Sequence, residues 1–378
     1  MRSHLPAADH GVMDPAPALY TIRINGHLGA TVLSAFPAMA PQRHGAQTVL
    51  TGRLDRSALY GVLAEIEALG LDLLEVRQLM PDRLGPGSPG PGPMSTYALG
   101  RMQVRRSGYG AMQLAGPFAF GTPPDRASAI GVLRAAAAAG VDHIDTAQYY
   151  GPGVVNDLIR EALYPYPDGL AIVSKVAVRR DDRGAVLPFD DPDQLREGIE
   201  DNLRTLRAGQ LAAVNLRLPG DGRVDARFDD QLAAMVAARD EGLIAGVGLS
   251  NVSLEQLRHA LAGTDIVCVQ NLFHLADRRA APLLQECLSH GIAFVPFCPL
   301  GWPRGQDNPV LTSPVVTRTA ARLGTTPAQV ALQWLLRLAS NVLLIPGTGS
   351  VAHLRENLAA ENVTLDDEAL RELDGVGA

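Results

Sequence analysis

From residue 97 onward the chain alternates strand-like and helix-like patterns with short connections, and few folds accept that rhythm. Strand-like runs lie at 108–113, 143–147, 170–176, 211–218, 244–250, 266–272, 293–298 and 342–346. Helical patterns stand between them, for example 125–139 (Ala-rich, closed by Gly140), 191–207, 227–242 and 327–338. A last one at 366–374 opens on Asp366 and Asp367. Repeated strand–helix units imply a parallel sheet, because each parallel return needs a crossover. Eight such units in about 280 residues match a (β/α)8 TIM barrel. A doubly wound sheet would share the alternation but carry a glycine-rich first turn. GVGLSN at 246–251 lacks the third glycine and the later acid. The expected class is α/β: a (β/α)8 TIM barrel preceded by a small α+β domain.

PDRLGPGSPGPGP, residues 81–93, separates the two. Mostly proline and glycine, it offers no side chains for a core and reads as a linker, spanning about 40 Å if extended at ~3.1 Å per residue. Upstream, LYTIRIN (19–25), QTVLTGRL (47–54) and LDLLEVRQL (71–79) read as strands. DRSALYGVLAEIEALG (55–70) places Leu59, Val62, Leu63, Ile66 and Leu69 on one helical face, with Asp55 as N-cap. A short helix fits near 29–36. The expected division is a small α+β domain at 1–80, the linker at 81–93 and the barrel at 94–378, entered through a hairpin at 97–106. No motif in 1–80 carries nameable chemistry. Packing or homo-oligomerisation is its first reading, ahead of ligand sensing.

Composition narrows the partners. The net charge is −7 and no basic cluster stands out, which argues against nucleic acid or an anionic membrane surface. Cys268, Cys287 and Cys298 fit neither CxxC nor a disulfide framework, so a reducing, cytoplasmic setting is expected. No apolar run has the length of a membrane span, and residues 1–20 lack the apolar core of a signal peptide. His143 has no partner histidines at ligand spacing, so no metal is expected.

Chemistry in such a barrel gathers at the C-terminal ends of the strands. VDHIDTAQYYGP (141–152) brings Asp145 to a strand end, with Tyr149 and Tyr150 just beyond. LAIVSKV (170–176) sets Lys175 in an otherwise apolar strand, where a lysine is costly unless paired. One reading is a structural Asp145–Lys175 ion pair. The other is a lysine that acidifies a neighbouring tyrosine. A free tyrosine titrates near 10, and an acid useful at neutral pH wants a value about two or three units lower, roughly 3–4 kcal/mol. A close ammonium in a desolvated pocket can supply that.

These residues resemble a known family. Asp145, a tyrosine followed by glycine, and a lysine on the next strand look like three of the four catalytic residues of the aldo-keto reductases. The glycine selects Tyr150 over Tyr149. GLSN (248–251), VQN (269–271), PLG (299–301) and IPGTGSVAHLREN (345–357) follow in the family's order, so the resemblance covers residues 96–378. GYGAMQLAGP (108–117), REALYPY (160–166) and VNLR (214–217) look most like its pyridoxal reductase (pyridoxine 4-dehydrogenase) branch. The resemblance implies hydride transfer from NADPH to a carbonyl carbon, with pyridoxal to pyridoxine as the first guess. Tyr150 would protonate the oxygen, Lys175 would lower its pKa, and Asp145 would hold Lys175. Another small aldehyde or ketone, or a non-catalytic NADP-binding sensor or accessory protein, is the alternative.

The chain departs from the family in two places. Arg217 stands where the family has a histidine on the fourth strand, two residues after Asn215 and on the same face. A permanently charged guanidinium can orient a carbonyl or hold an anionic substrate group, but it cannot titrate. A structural pairing with a nearby carboxylate is the plainer alternative. At the cofactor end, the resemblance gives Ser250, Asn251 and Gln270 to the carboxamide. Phe297, with Pro299 and Leu300 beside it, takes the place of a tyrosine that stacks under the nicotinamide. Residues 345–357 open a helix whose free amides suit an anion, and Glu356 and Asn357 match residues that hold the adenine. Gly347 and His353 replace the family's phosphate-gripping lysine and arginine, leaving Thr348, Ser350, His353 and backbone amides for a 2′-phosphate. NADPH is expected, with NADH left open. Phe118, Phe120, Phe273 and Trp302 are candidates for the substrate wall, and Cys298 for a small buried filler.

Overall fold

The computed structural model describes residues 18–37, 39–44, 47–54, 56–79, 96–302 and 308–377. The chain divides into two compact units, Met1–Leu84 and Gly85–Ala378. The expected linker at 81–93 and the Asp55 cap lie outside the described residues.

The first unit runs β1 (Ala18–Asn25), α1 (Ala30–Leu33), β2 (Ala40–His44), β3 (Gln47–Leu54), α2 (Arg56–Ala68) and β4 (Leu73–Leu79). Its sheet has the order β2-β3-β1-β4, with every neighbouring pair antiparallel. Strands β1 and β2 are thus parallel with β3 between them, a ferredoxin-like split arrangement. Alternation sends Ile22, Ile24, Leu50 and Leu54 to one face, where they form a core with Ile66 of α2. Leu59, Val62 and Leu63 pack at its margin. Leu69, expected on the same face, is 42% exposed because α2 ends at Ala68 and the chain turns through Gly70 at φ +63°. The sequence reading does not foresee β2: APQRH has little strand character, and its pairing with β3 makes it an edge strand.

The second unit opens with the hairpin β5 (Thr96–Leu99) and β6 (Met102–Arg105). Leu99 and Val104 are buried with Ala171, Ala213, Cys268 and Ala293, each at the start of a later strand, so the hairpin plugs the N-terminal end of the barrel. There follow β7 (Tyr109–Gly110), α3 (Arg126–Ala138), β8 (His143–Asp145), α4 (Val154–Leu163), β9 (Ala171–Arg180), β10 (Val186–Phe189) and α5 (Pro192–Leu206). Next come β11 (Ala213–Arg217), α6 (Ala226–Asp240), β12 (Val247–Ser250), α7 (Leu254–Gly263), β13 (Cys268–Leu272), α8 (Ala281–Ser289) and β14 (Ala293–Phe297). The chain ends with α9 (Pro314–Leu323), α10 (Pro327–Leu338), α11 (Val351–Leu358) and α12 (Asp367–Asp374).

Strands β7, β8, β9, β11, β12, β13 and β14 pair in parallel in that order. Residues 342–344 close the ring. Leu343 donates to the Phe294 carbonyl at 2.9 Å on one side, and Leu344 to the Arg106 carbonyl at 2.7 Å on the other. The fold is the expected α/β barrel, with β10 folded back antiparallel on the end of β9. The run at 108–113 is strand only as far as Gly110. Residues 111–114 form a 3-10 turn instead.

Outside the ring, Ile172 and Val176 share the main core with Leu195 and Ile199, while Ala171 and Val173 belong to the interior cluster. Helix starts are specified locally: Ser253 with Gln256 and Thr326 with Gln329 make reciprocal capping boxes. Arg106, 2% exposed, donates to the carbonyls of Val342, Leu336 and Ala339, tying the first strand's approach to the last strand and the end of α10. Among the described residues, no helix is long and apolar enough to cross a membrane.

Candidate active site

The ladder sets the site's register. Asp145 faces Val173, Lys175 faces Asn215, Asn215 faces Gly248, and both Arg217 and Gln270 face Ser250. Residues two apart share a face, so the inward faces of these strands carry the polar residues in successive layers up the barrel. Asp145, Asn215, Cys268 and Gln270 line one interior cavity.

Lys175 and Asp145 are both buried and form an ion pair, and the ammonium also donates to the Thr146 carbonyl at 3.0 Å. The side-chain amide of Gln270 donates to the second carboxylate oxygen of Asp145 at 2.8 Å, so both oxygens are engaged. The Lys175 ammonium lies 5.1 Å from the centroid of the Tyr150 ring. Tyr150 is buried, edge-on to Tyr149 with ring centroids 5.1 Å apart. Burial first, and then the charge of Asp145, hold the Tyr150 hydroxyl well above the usual tyrosine range, while Arg217 pulls it down. Tyr149 is raised mainly by burial, with Lys175 and Arg217 opposing. Arg217 is half-buried and, among the described residues, its guanidinium makes no hydrogen bond or ion pair. The plainer reading, a carboxylate partner for it, has no counterpart in the geometry.

Deeper in the barrel, Asn215 accepts a hydrogen bond from the Cys268 thiol at 3.4 Å, and its Nδ2 has no partner among the described residues. Gly248 makes room for it: a Cβ there would lie 2.3 Å from Asn215 Oδ1. Burial, then Asp145, push the Cys268 thiol up to about 12, so it stays protonated. His143 is buried against Gly108; among the described residues neither ring nitrogen is hydrogen-bonded, and Nδ1 lies 3.6 Å from the Asp142 carboxylate.

At the cofactor end, Ser250 is buried at the tip of β12. Asn251 turns the chain at φ +60° and spends its side-chain amide on the Leu218 carbonyl at 3.1 Å. Phe297 is half-buried at the tip of β14, Pro299 is buried, and the Leu300 carbonyl accepts from Asn308 at 3.0 Å. Gly347 sits against the Gly110 carbonyl, which a Cβ would approach to 2.6 Å. Thr348 accepts the Tyr109 hydroxyl at its carbonyl and the Ser350 N–H at its Oγ1. Ser350 caps α11 through the His353 N–H at 3.4 Å. The N–H groups of Val351 and Ala352 take no partner among the described residues, which fits this turn to a phosphate. His353 and Arg355 are exposed beyond it, Glu356 is half-buried and Asn357 buried.

The aromatic candidates separate. Phe273 is no wall: it is buried between Phe294, 5.7 Å away and edge-on, and Trp334, stacked at 6.4 Å. Phe118 is 84% exposed, Trp302 is exposed and Phe120 is half-buried. Cys298 is half-buried at φ +51° rather than a buried filler. The sequence reading misses Arg180. At the end of β9 its guanidinium donates to the carbonyls of Tyr149 (3.2 Å), Gly184 (2.6 Å) and Phe118 (2.8 Å), joining three loops at the strand ends.

Residues 107–378 match the profile described as the Aldo/keto reductase family. The chain belongs to that family. As an aldo-keto reductase it is an oxidoreductase. Pyridoxine 4-dehydrogenase of Escherichia coli (strain K12) is 47% identical over 285 residues, 75% of this chain and 98% of that protein. A crystal structure of an aldo/keto reductase from Klebsiella pneumoniae in complex with NADP and acetate is 28% identical, with a TM-score of 0.61 over 74% of this chain and 94% of that one. A thermostable aldo-keto reductase in complex with the inhibitor epalrestat is 30% identical, with a TM-score of 0.64 over 75% of this chain and 100% of that one. Residues 19–77 match a separate family described as a domain of unknown function.

Proposed function

We propose that this aldo-keto reductase uses NADPH to reduce a small aromatic aldehyde, pyridoxal first among the candidates, with Tyr150 as proton donor. The observation that carries the reading is a buried Tyr150 beside the Asp145–Lys175 pair and within the field of Arg217. The identity to pyridoxine 4-dehydrogenase supports the substrate, and the NADP-bound relative supports the cofactor. Ser250, Asn251, Gln270, Phe297, Pro299 and Leu300 would hold its nicotinamide end. Gly347, Thr348, Ser350, His353, Glu356, Asn357 and the free amides of α11 would hold the rest. When bound, the nicotinamide supplies the hydride.

The chain's own residues do the remainder. The carbonyl oxygen gathers negative charge as its carbon is reduced, and Tyr150 passes it the hydroxyl proton. Lys175, neutralised by Asp145, fixes the edge of the site, and Arg217 is the cation that eases the loss of the tyrosine's proton. With five donors in a fixed plane, Arg217 also suits the phenolic oxygen of a pyridoxal-type ring. The test follows NADPH absorbance with pyridoxal for the wild type and Tyr150→Phe. Turnover is expected to fall by about 10²–10⁴-fold with NADPH binding retained. Tight NADPH binding without turnover on pyridoxal or other carbonyls would leave the sensor reading instead.

A further inference from the structure

Two adjacent tyrosines follow β8, and the proton-donor reading uses the hydroxyl of one. The loop that carries them is fixed at its backbone. Arg180 donates to the Tyr149 carbonyl at 3.2 Å, and the N–H groups of Tyr150 and Gly153 donate to the carbonyls of Ala147 (3.1 Å) and Gln148 (2.8 Å). Both rings are buried, edge-on to each other with centroids 5.1 Å apart. Packing alone would ask for no more than a phenylalanine at 149, because a buried hydroxyl is costly unless it is hydrogen-bonded. The Tyr149 side chain is hydrogen-bonded to Tyr150, and the bond pulls the Tyr150 hydroxyl down against the larger upward push of burial. A bond with that sign is made to the charged form, so Tyr149 is the donor. Burial, and then the charge that Tyr150 gains, hold the proton of Tyr149 in place.

We propose that Tyr149 is a positioning residue for the proton donor: its hydroxyl donates to the Tyr150 oxygen and steadies the charge left there when the carbonyl takes the Tyr150 proton. The inference rests on the reading of Tyr150 as that donor. While both tyrosines are protonated, the bond between them is neutral. Once Tyr150 has given up its proton the bond is charge-assisted and about twice as strong, so it favours the reacting state over the resting one. The charged and titratable groups around the pair come from four strands. Arg217 of β11 lowers both hydroxyls, Lys175 of β9 lowers Tyr149, Asp145 of β8 raises both, and Cys298 just past β14 raises Tyr150. Tyr149 thus works with Arg217 and against Asp145 at the same oxygen.

Two measurements on the full chain test this with wild type, Tyr149→Phe and Tyr150→Phe. One is single-turnover reduction by the NADPH-loaded protein of pyridoxal, or of another aromatic aldehyde that the wild type reduces. The other is oxidation of the matching alcohol against pH. Tyr149→Phe keeps the ring and loses the hydroxyl. It is expected to slow the single turnover roughly tenfold and to move the alkaline rise of oxidation up by about one pH unit, the scale of one charge-assisted bond. KM, NADPH affinity and the thermal midpoint are expected to stay near wild type. A wild-type rate and pH profile in Tyr149→Phe, or a loss confined to KM or the thermal midpoint, would overturn the proposal. So would a loss as deep as that of Tyr150→Phe, which would make Tyr149 a donor in its own right. Undiminished turnover by Tyr150→Phe would sink the proton-donor reading itself, and this inference with it.

Discussion

Arg217 is a permanent charge that no carboxylate answers among the described residues, and its field falls on Tyr150. Arg217→Leu should raise the tyrosine further and slow reduction by roughly 10²-fold, the scale of losing one oxyanion donor. Arg217→Lys keeps the charge but loses the planar fork, so it should recover part of the rate and little of any preference for phenolic aldehydes. The pH profile carries a sign. Burial and Asp145 raise Tyr150, so its proton-bearing form persists from neutral into alkaline pH. Reduction should therefore stay flat from neutral into alkaline pH, whereas the reverse oxidation, which needs the proton gone, should climb with pH. Asp145 and Lys175 were legible because polar residues stand out inside apolar strands of period two. Phe273 was not. A strand-end position says where a ring sits along the chain, and only its neighbours Phe294 and Trp334 say that it points into the core. Phe273→Ala should cost about 3–5 kcal/mol of stability, read as a lowered thermal midpoint.

Among the elements, the ones the sequence reading misjudged are those defined by a partner. The short β7 and the edge strand β2 have little propensity of their own, and β10 exists because β9 overruns the barrel and offers it a ladder. Arg180 belongs to the same class: its acceptors are three main-chain carbonyls, which leave no trace in side-chain identity. Arg180→Ala should free the loops at Phe118, Tyr149 and Gly184 together. The expected result is a KM for the carbonyl substrate raised roughly tenfold or more, with NADPH affinity little changed. A change confined to thermal stability would mean the three loops hold without it.

At the scale of the whole molecule, the strand–helix rhythm identified the barrel, while the way the ring closes had to be seen. A chain beginning near Met94 should keep its turnover, measured by NADPH consumption, since the residues proposed for the site all lie in the second unit. Loss of activity with the helical circular dichroism intact would tie the first unit to catalysis. The seam of the ring is different. Arg106 waits for acceptors 230 to 236 positions further along. At roughly 5–20 residues per second, those carbonyls leave the ribosome about 10–50 seconds after the arginine does. Through that interval the nascent chain holds a guanidinium built for burial and a sheet with two open sides. The barrel can therefore close only once that interval has passed, and the cell's holding chaperones have about 10–50 seconds in which to meet the open sheet.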